Sequence, residues 1–273
     1  GFKSTLLASD TPRVWSRDLR FEVIAGCLPK KWELANEVEL FKQEIEAAIM
    51  SPKVSGISST IIDLPLDDDL NGKKITERFT ALAGLLTVFA KKIRHIRVNN
   101  KIYRWEPEYV LPFGTSTIET GSILLPSKDG LLRENIVVIR AEYGVVAFLI
   151  GSKGIKGFNK KGAEIPNVWV TAPTRGTTAH GFILNADFQI DTGRTKLANS
   201  GPSRTANELL VDKLADEVAQ IMIELYGETE TNWRNIAEQL GLPSISSTNF
   251  WLSFWDALLG EKSHDFDDAE REL

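Results

Sequence analysis

The chain has a single cysteine, Cys27, in 273 residues, which excludes an internal disulfide and any multi-cysteine zinc site and fits a reducing compartment. Long apolar runs are missing as well. The longest, Gly144 to Gly151, falls far short of the roughly 20 residues that a membrane-spanning helix needs. The N-terminus has none of the charged start, apolar middle and small-residue cleavage site of a secretory signal, so a cytoplasmic protein without a membrane anchor is expected. Positive charge is not in excess. With 32 Lys and Arg against 37 Asp and Glu, a surface devoted to polyanions is disfavoured and nucleic acid is not the expected partner. The three histidines, His95, His180 and His264, show no metal-ligand spacing.

What the chain does have is enough apolar material, 42% of its residues, to build real cores, and enough length for two domains. Its first half alternates strand-like and helical patterns. Arg13 to Ser16, Phe21 to Ile24 and Thr60 to Leu66 read as strands, and Ser4 to Ala8 as another. Glu33 to Met50 has helical spacing. From Ile75 to Ile93, the residues Ile75, Phe79, Leu82, Leu86, Phe89 and Ile93 fall at alternating intervals of four and three, the period of a half-buried helix. Ile96 to Val98 and Ile102 to Trp105 pattern as a hairpin. The Pro-, Gly-, Ser- and Thr-rich stretch from Leu111 to Lys128 reads as a domain boundary. Beyond it, Asn135 to Ala141 and Val145 to Ile150 form an expected hairpin, with Val168 to Val170 and Phe182 to Leu184 as further strands. A capping-box pattern, Thr205-Ala206-Asn207-Glu208, predicts a helix start, with Leu210, Leu214, Val218, Ile221 and Leu225 on its buried face. A second helix, Asn232 to Leu240, stops at Gly241.

The first four residues, Gly1-Phe2-Lys3-Ser4, pair a glycine that admits close backbone approach with a lysine and a hydroxyl. Exposed N–H groups at such a junction favour anions, so this is a candidate phosphate cradle. Taken in isolation, a tetrapeptide of this kind reads as an ordinary turn. The longer stretch "GFKSTLLASDTPRVWS" resembles the glycine lid of the GHKL ATPases, and its Phe-Lys-Ser and Asp-Thr-Pro-Arg look most like the sacsin-like branch. "STIIDLPL" (Ser59 to Leu66) resembles the strand whose threonine helps hold the adenine in that family, here Thr60; the family's usual preceding glycine is Ser59. "FILNADFQIDTGRTKLANSGPSRTANELLVDKLADEV" (Phe182 to Val218) resembles the end of the second domain of heat-shock-type GHKL proteins, and "TAPTRGTT" (Thr171 to Thr178) the element before it. In that family an arginine of this segment reaches the terminal phosphate of ATP; by position it is Arg194.

The resemblance implies an α/β (α+β) protein: the C-terminal half of a Bergerat-type α/β sandwich over residues 1–112, a mixed α/β transducer-like domain over 113–228, and a helical extension with an acidic tail over 229–273. It implies ATP as ligand, held by Gly1, Phe2, Lys3, Ser4 and Thr60, with Arg194 as the catalytic residue. The family's Mg2+ ligand and its activating glutamate stand before the lid, so they are expected upstream of residue 1, and the chain alone is expected to lack ATPase activity. In the intact protein, a chaperone-like or defence-associated ATPase, nucleotide state would drive domain closure, with protein partners or clients and a homodimer among its assemblies.

Two other readings stand beside this one. The competing class is a non-hydrolysing interaction scaffold that keeps the same fold. "NWRNIAEQLGLPSIS" (Asn232 to Ser246) has the cadence of the first helix and turn of a helix-turn-helix regulator. A helical extension anchored by Phe250, Trp251, Phe254 and Trp255 explains that pattern without DNA, and the acidic residues that follow would repel phosphate. Asp10 and Arg13 read as turn-closing residues, Cys27 as a buried thiol, and the run Lys91 to Arg97 as a solvated helix end.

Overall fold

The computed structural model describes residues 11–16, 19–24, 28–31, 36, 39–40, 43, 60–65, 72–98, 101–127, 130–151, 154–158, 165–176, 181–191, 196–242 and 245–259. These form two compact units, Gly1–Ile75 and Thr76–Leu273. The architecture is mixed α/β.

In the first unit, β1 (Arg13–Ser16), β2 (Leu19–Ile24), β3 (Leu28–Lys31) and β4 (Thr60–Asp63) make an antiparallel sheet in the order β3-β2-β1-β4. Among its described side chains, Val14 and Val23 are buried. Arg13 faces Asp63 across the β1–β4 register, and its Nε and Nη2 both reach Oδ2, at 2.6 and 2.5 Å. Arg13 therefore ties two strands together. Of the helix expected from Glu33 to Met50, the described residues 36, 39, 40 and 43 are helical and exposed.

The second unit is built on one large sheet. After α1 (Gly72–Phe89) and the hairpin β5 (His95–Val98) and β6 (Lys101–Arg104), the strands β7 (Tyr109–Phe113), β8 (Ser116–Ser127), β9 (Gly130–Arg140) and β10 (Val145–Gly151) follow as an antiparallel meander. β11 (Gly154–Lys156), β12 (Val168–Val170), β13 (Ala172–Pro173) and β14 (Ile183–Asn185) complete it. The order is β13-β12-β14-β10-β9-β8-β7, with β11 beside β10, and β12 runs parallel to β14. Two helices follow: α2 (Gly201–Gln239), kinked where Asn232 leaves helical geometry, and α3 (Ser247–Leu259).

Alternation along β9 and β10 sends their side chains to two cores. Ile136, Val138, Ala147 and Leu149 pack with Leu82, Leu85, Val88 and Phe89 of α1 and with Trp169. Val137, Ile139, Val146, Phe148 and Ile150 pack with α2 and α3. The sheet thus has helices on both faces, which explains why these two strands read as nearly continuous apolar runs. Gly84 brings α1 down onto the sheet: a Cβ there would lie 2.6 Å from the carbonyl oxygen of Leu124.

Several expectations change here. Residues 111–127, expected as a boundary, form most of β7 and β8, and β8 pairs with β9 from Thr117↔Arg140 to Ser127↔Gly130. The long register supplies backbone partners that local turn chemistry does not outweigh. The two compact units divide between Ile75 and Thr76. The helix expected over 75–93 runs from Gly72 to Phe89, and Ile75, Phe79 and Ile93 of its expected buried face are exposed. α2 begins at Gly201, not Thr205, because Pro202 in its first turn is already set for helix and its missing N–H costs nothing there. The stop at Gly241 is as expected: its φ is +66°, and a Cβ there would clash with Cε2 of Tyr109.

Candidate functional site

Gly1, Phe2, Lys3, Ser4 and Arg194 lie outside the described residues, as do Asp10, Cys27, His180 and His264. Thr60 opens β4, its backbone opposite Ser16 of β1. His95 is exposed on β5. Among the described residues, no group of three or more His, Cys, Asp or Glu could hold a metal ion, and no step through Mg2+ is assigned to them.

The structure does bring together the segments that flank Arg194. Ile190 and Leu197 form an antiparallel bridge, and Asp191 N–H donates to Lys196 O at 3.0 Å. The Asp191 carboxylate accepts from Lys196 N–H at 3.2 Å. Ala198 N–H reaches Gln189 O at 2.9 Å. Residues 189–191 and 196–198 are therefore a closed neck on either side of Thr192 to Thr195.

Asn207, in the second turn of α2, clamps this neck. Its Oδ1 accepts from Gln189 N–H at 2.7 Å, and its Nδ2 donates to Gln189 O at 2.8 Å and Ala198 O at 3.3 Å. The side chain is buried and uses an acceptor and both donors of its amide, so its geometry is over-determined. Phe188 and Leu197 pack beneath with Val168 and Leu210. The sequence carries a signal of this role: an asparagine inside a helix is disfavoured unless its amide has work to do.

A second constraint involves Asn185 of β14. Thr171 turns the chain between β12 and β13 at φ +63°, a left-handed conformation unusual for a β-branched residue. Its N–H is held by Oδ1 of Asn185 at 2.7 Å. Asn167 Nδ2 donates to Phe182 O at 2.8 Å, and Thr174 Oγ1 to Val168 O at 2.8 Å. Thr171 is thus tethered to Asn185, while Asn167 and Val168, just before it, are tied to Phe182 and Thr174; backbone strain of this kind costs about 1–3 kcal/mol and persists only where surroundings enforce it.

The same unit holds a cleft of about 630 Å3 between α2, α3 and the sheet. Val146, Phe182 and Leu184 form its floor; Leu214, Val218 and Met222 of α2 face Trp251, Phe254 and Leu258 of α3. Aromatic rings stack down the α3 side, with Phe182 and Phe254 centroids 5.5 Å apart and Tyr226 edge-on to Trp251 at 5.2 Å. Trp251 Nε1–H donates to Thr229 Oγ1 at 3.2 Å, so the indole inside the wall is satisfied. α3 is held in place by Trp233, whose Nε1–H donates to Ile245 O at 2.9 Å, and by Ser253 Oγ, which accepts from Ile155 N–H at 2.6 Å. Glu217 fixes α2 from the other edge, accepting from Ser116 Oγ, Glu142 N–H and Tyr143 N–H at 2.8, 2.7 and 3.2 Å. Sequence reading foresaw Phe250, Trp251, Phe254 and Trp255 as an anchor; Trp255 instead is 51% exposed at the cleft mouth.

Comparisons with protein-family models, with curated proteins and with solved structures find no match for this chain.

Proposed function

We propose that the chain is part of a GHKL-type, sacsin-like ATP-binding protein, with Gly1, Phe2, Lys3, Ser4 and Thr60 on the nucleotide side and Arg194 as the residue that meets the terminal phosphate. The α/β architecture is compatible with the Bergerat and transducer-like domains that this reading requires. The observation that carries it is the Asn207 clamp on the neck around Thr192 to Thr195. A loop needs no buried amide with three hydrogen bonds merely to connect β14 to α2, whereas an arginine that must meet a phosphate needs its loop pre-positioned. The strained, tethered Thr171 beside Asn185 supports the same reading, because its segment and the Phe182–Ala186 strand are two of the stretches that resemble the family.

The protein's own groups would bind and orient. Backbone N–H groups and the Lys3 ammonium would neutralise phosphate charge, and the Arg194 guanidinium would offer planar, bidentate donors to it. ATP would supply the transferable phosphoryl group, and Mg2+ the remaining charge neutralisation.

The test is equilibrium binding of a fluorescent ATP analogue to the 273-residue chain, alongside Lys3→Ala, Arg194→Ala and Asn207→Ala. The reading expects saturable binding weakened about tenfold or more in the first two variants, as loss of a charge-assisted phosphate contact does. Absence of binding, or binding indifferent to Lys3 and Arg194, refutes it.

A further inference from the structure

The cleft between α2 and α3 is open along one side. Ile223 is 69% exposed and Tyr226 and Trp255 are 51% exposed each, although all three line it. A small-molecule pocket covers about 70–90% of its ligand; a trough with rims this bare would leave much of such a ligand in water. What it fits is an element that covers the rims as well as the floor.

Length and charge narrow the occupant. The lining row of α2 runs from Val211 to Tyr226, about 22 Å at ~1.5 Å per residue, or four turns of an opposing helix. Along its outer edge Ala215 and Ala219 are exposed and small, which lets another backbone approach, while Val211 and Ile223 stand at either end. Asp212 and Asp216 are exposed on the same edge: Ala215 is i+3 from Asp212, and Ala219 is i+3 from Asp216. Between Thr205 and Thr229 this helix has six carboxylates and one lysine, and α3 has Asp256 with no basic residue. The one lysine, Lys213, has its Nζ over the Tyr143 ring at 5.0 Å. An apolar trough edged by one sign of charge selects against a like-charged partner.

From this geometry we infer that the α2–α3 cleft is a docking groove for a basic amphipathic helix of a partner protein, its apolar residues at i, i+3, i+4 and i+7 seated over Phe182, Met222 and Trp251 and its lysines or arginines facing Asp212 and Asp216. This is the helix-in-groove mode of recognition. A second copy of the chain fits less well, because a two-fold interface sets a patch against itself and would bring Asp212 and Asp216 near their own counterparts. The inference does not depend on nucleotide binding.

The experiment is fluorescence anisotropy with the 273-residue chain and three labelled synthetic peptides of about 16 residues: a Leu/Lys amphipathic helix, its Leu/Glu counterpart, and a Leu/Lys peptide of the same composition with the helical spacing scrambled. The Leu/Lys helix is expected to bind at least about tenfold more tightly than either control, more weakly as salt rises, and with a blue shift of tryptophan emission that Trp255→Phe diminishes. Ile223→Asp should abolish binding, and the pair Asp212→Lys with Asp216→Lys should transfer the preference to the Leu/Glu helix. All three positions are exposed, so circular dichroism should show the fold of each variant unchanged. Equal binding of the three peptides, affinity indifferent to Ile223→Asp, or a preference that ignores the charge reversal overturns the inference. So does concentration-dependent self-association abolished by Ile223→Asp, which would make a second copy the occupant, or co-purification of an apolar small molecule that the Leu/Lys helix fails to displace.

Discussion

The two faces of the large sheet are made by the same strands and yet are finished differently. On the α1 face, Leu85, Leu125, Ile136, Val138, Leu149, Phe158 and Trp169 are sealed from solvent, and the helix lies close enough for Gly84 to be required. On the other face, α2 and α3 bury Phe148, Phe250 and Phe254 but leave a trough between them, with Ile223, Tyr226 and Trp255 in water. A closed face contributes stability through area removed from water. An open apolar face of the same sheet forgoes part of that stability, and exposed patches of this kind mark interaction surfaces.

The sharpest way to break this contrast is to cut equally large side chains from each face. Trp169→Ala should cost about 3–5 kcal/mol, since it empties a sealed site beside Phe89 and leaves the Pro166 carbonyl without its indole donor. Chemical denaturation followed by circular dichroism measures it. A smaller loss is expected from Gly84→Ala. The added methyl meets the Leu124 carbonyl, and overpacking of about 1–3 kcal/mol should outweigh the better helix propensity of alanine; a variant more stable than the parent would show that α1 can lift away without penalty. Asn207→Ala leaves the Gln189 N–H without its acceptor and the Ala198 carbonyl without its amide donor, while Gln189 O keeps the Ala198 N–H; the expected cost is about 1–3 kcal/mol, and hydrogen exchange should accelerate selectively at Gln189 and the residues flanking the neck.

Tyr103 supplies a test in pH. Its side chain is buried and its hydroxyl has no hydrogen bond of good geometry; burial pushes the phenol above its ordinary value, with the Thr80 side chain opposing in part. The folded state therefore holds this proton more tightly than the unfolded chain. Stability from this source is intact below pH 10 and declines as pH rises toward the folded-state value. Tyr103→Phe should remove that part of the alkaline decline and leave neutral-pH stability equal or slightly higher. The smallest effect is expected on the open face, where Ile223→Asp or Trp255→Ala should change stability by no more than about 0.5 kcal/mol. A loss comparable to that of Trp169→Ala would mean that the trough is part of the core after all.

Local pattern carried much of this fold. The β9–β10 hairpin, the β5–β6 hairpin, β12, β14 and the stop at Gly241 are all legible, because alternation, apolar density and a glycine at positive φ act within a few residues. Residues 109–127 were not. Their Pro, Gly, Ser and Thr have the composition of a turn, and only pairing with β9 makes them strand. α1 was legible as a helix but not in its extent, since Ile75 and Phe79 keep the apolar period while standing exposed. Of the candidate site, Arg194 and the N-terminal tetrapeptide were singled out by resemblance, whereas the clamp by Asn207 and the cleft were invisible: each depends on residues far apart in sequence.

Sequence by itself determined which segments alternate, which helices carry an apolar stripe, and where charge gathers on α2, because those properties are set by neighbours along the chain. Tertiary structure alone decided that one face of the sheet is sealed and the other left open, and that the buried amide of Asn207 clamps Gln189 to Ala198. Such features arise from the distance between two packed elements, and no periodicity within either element encodes that distance.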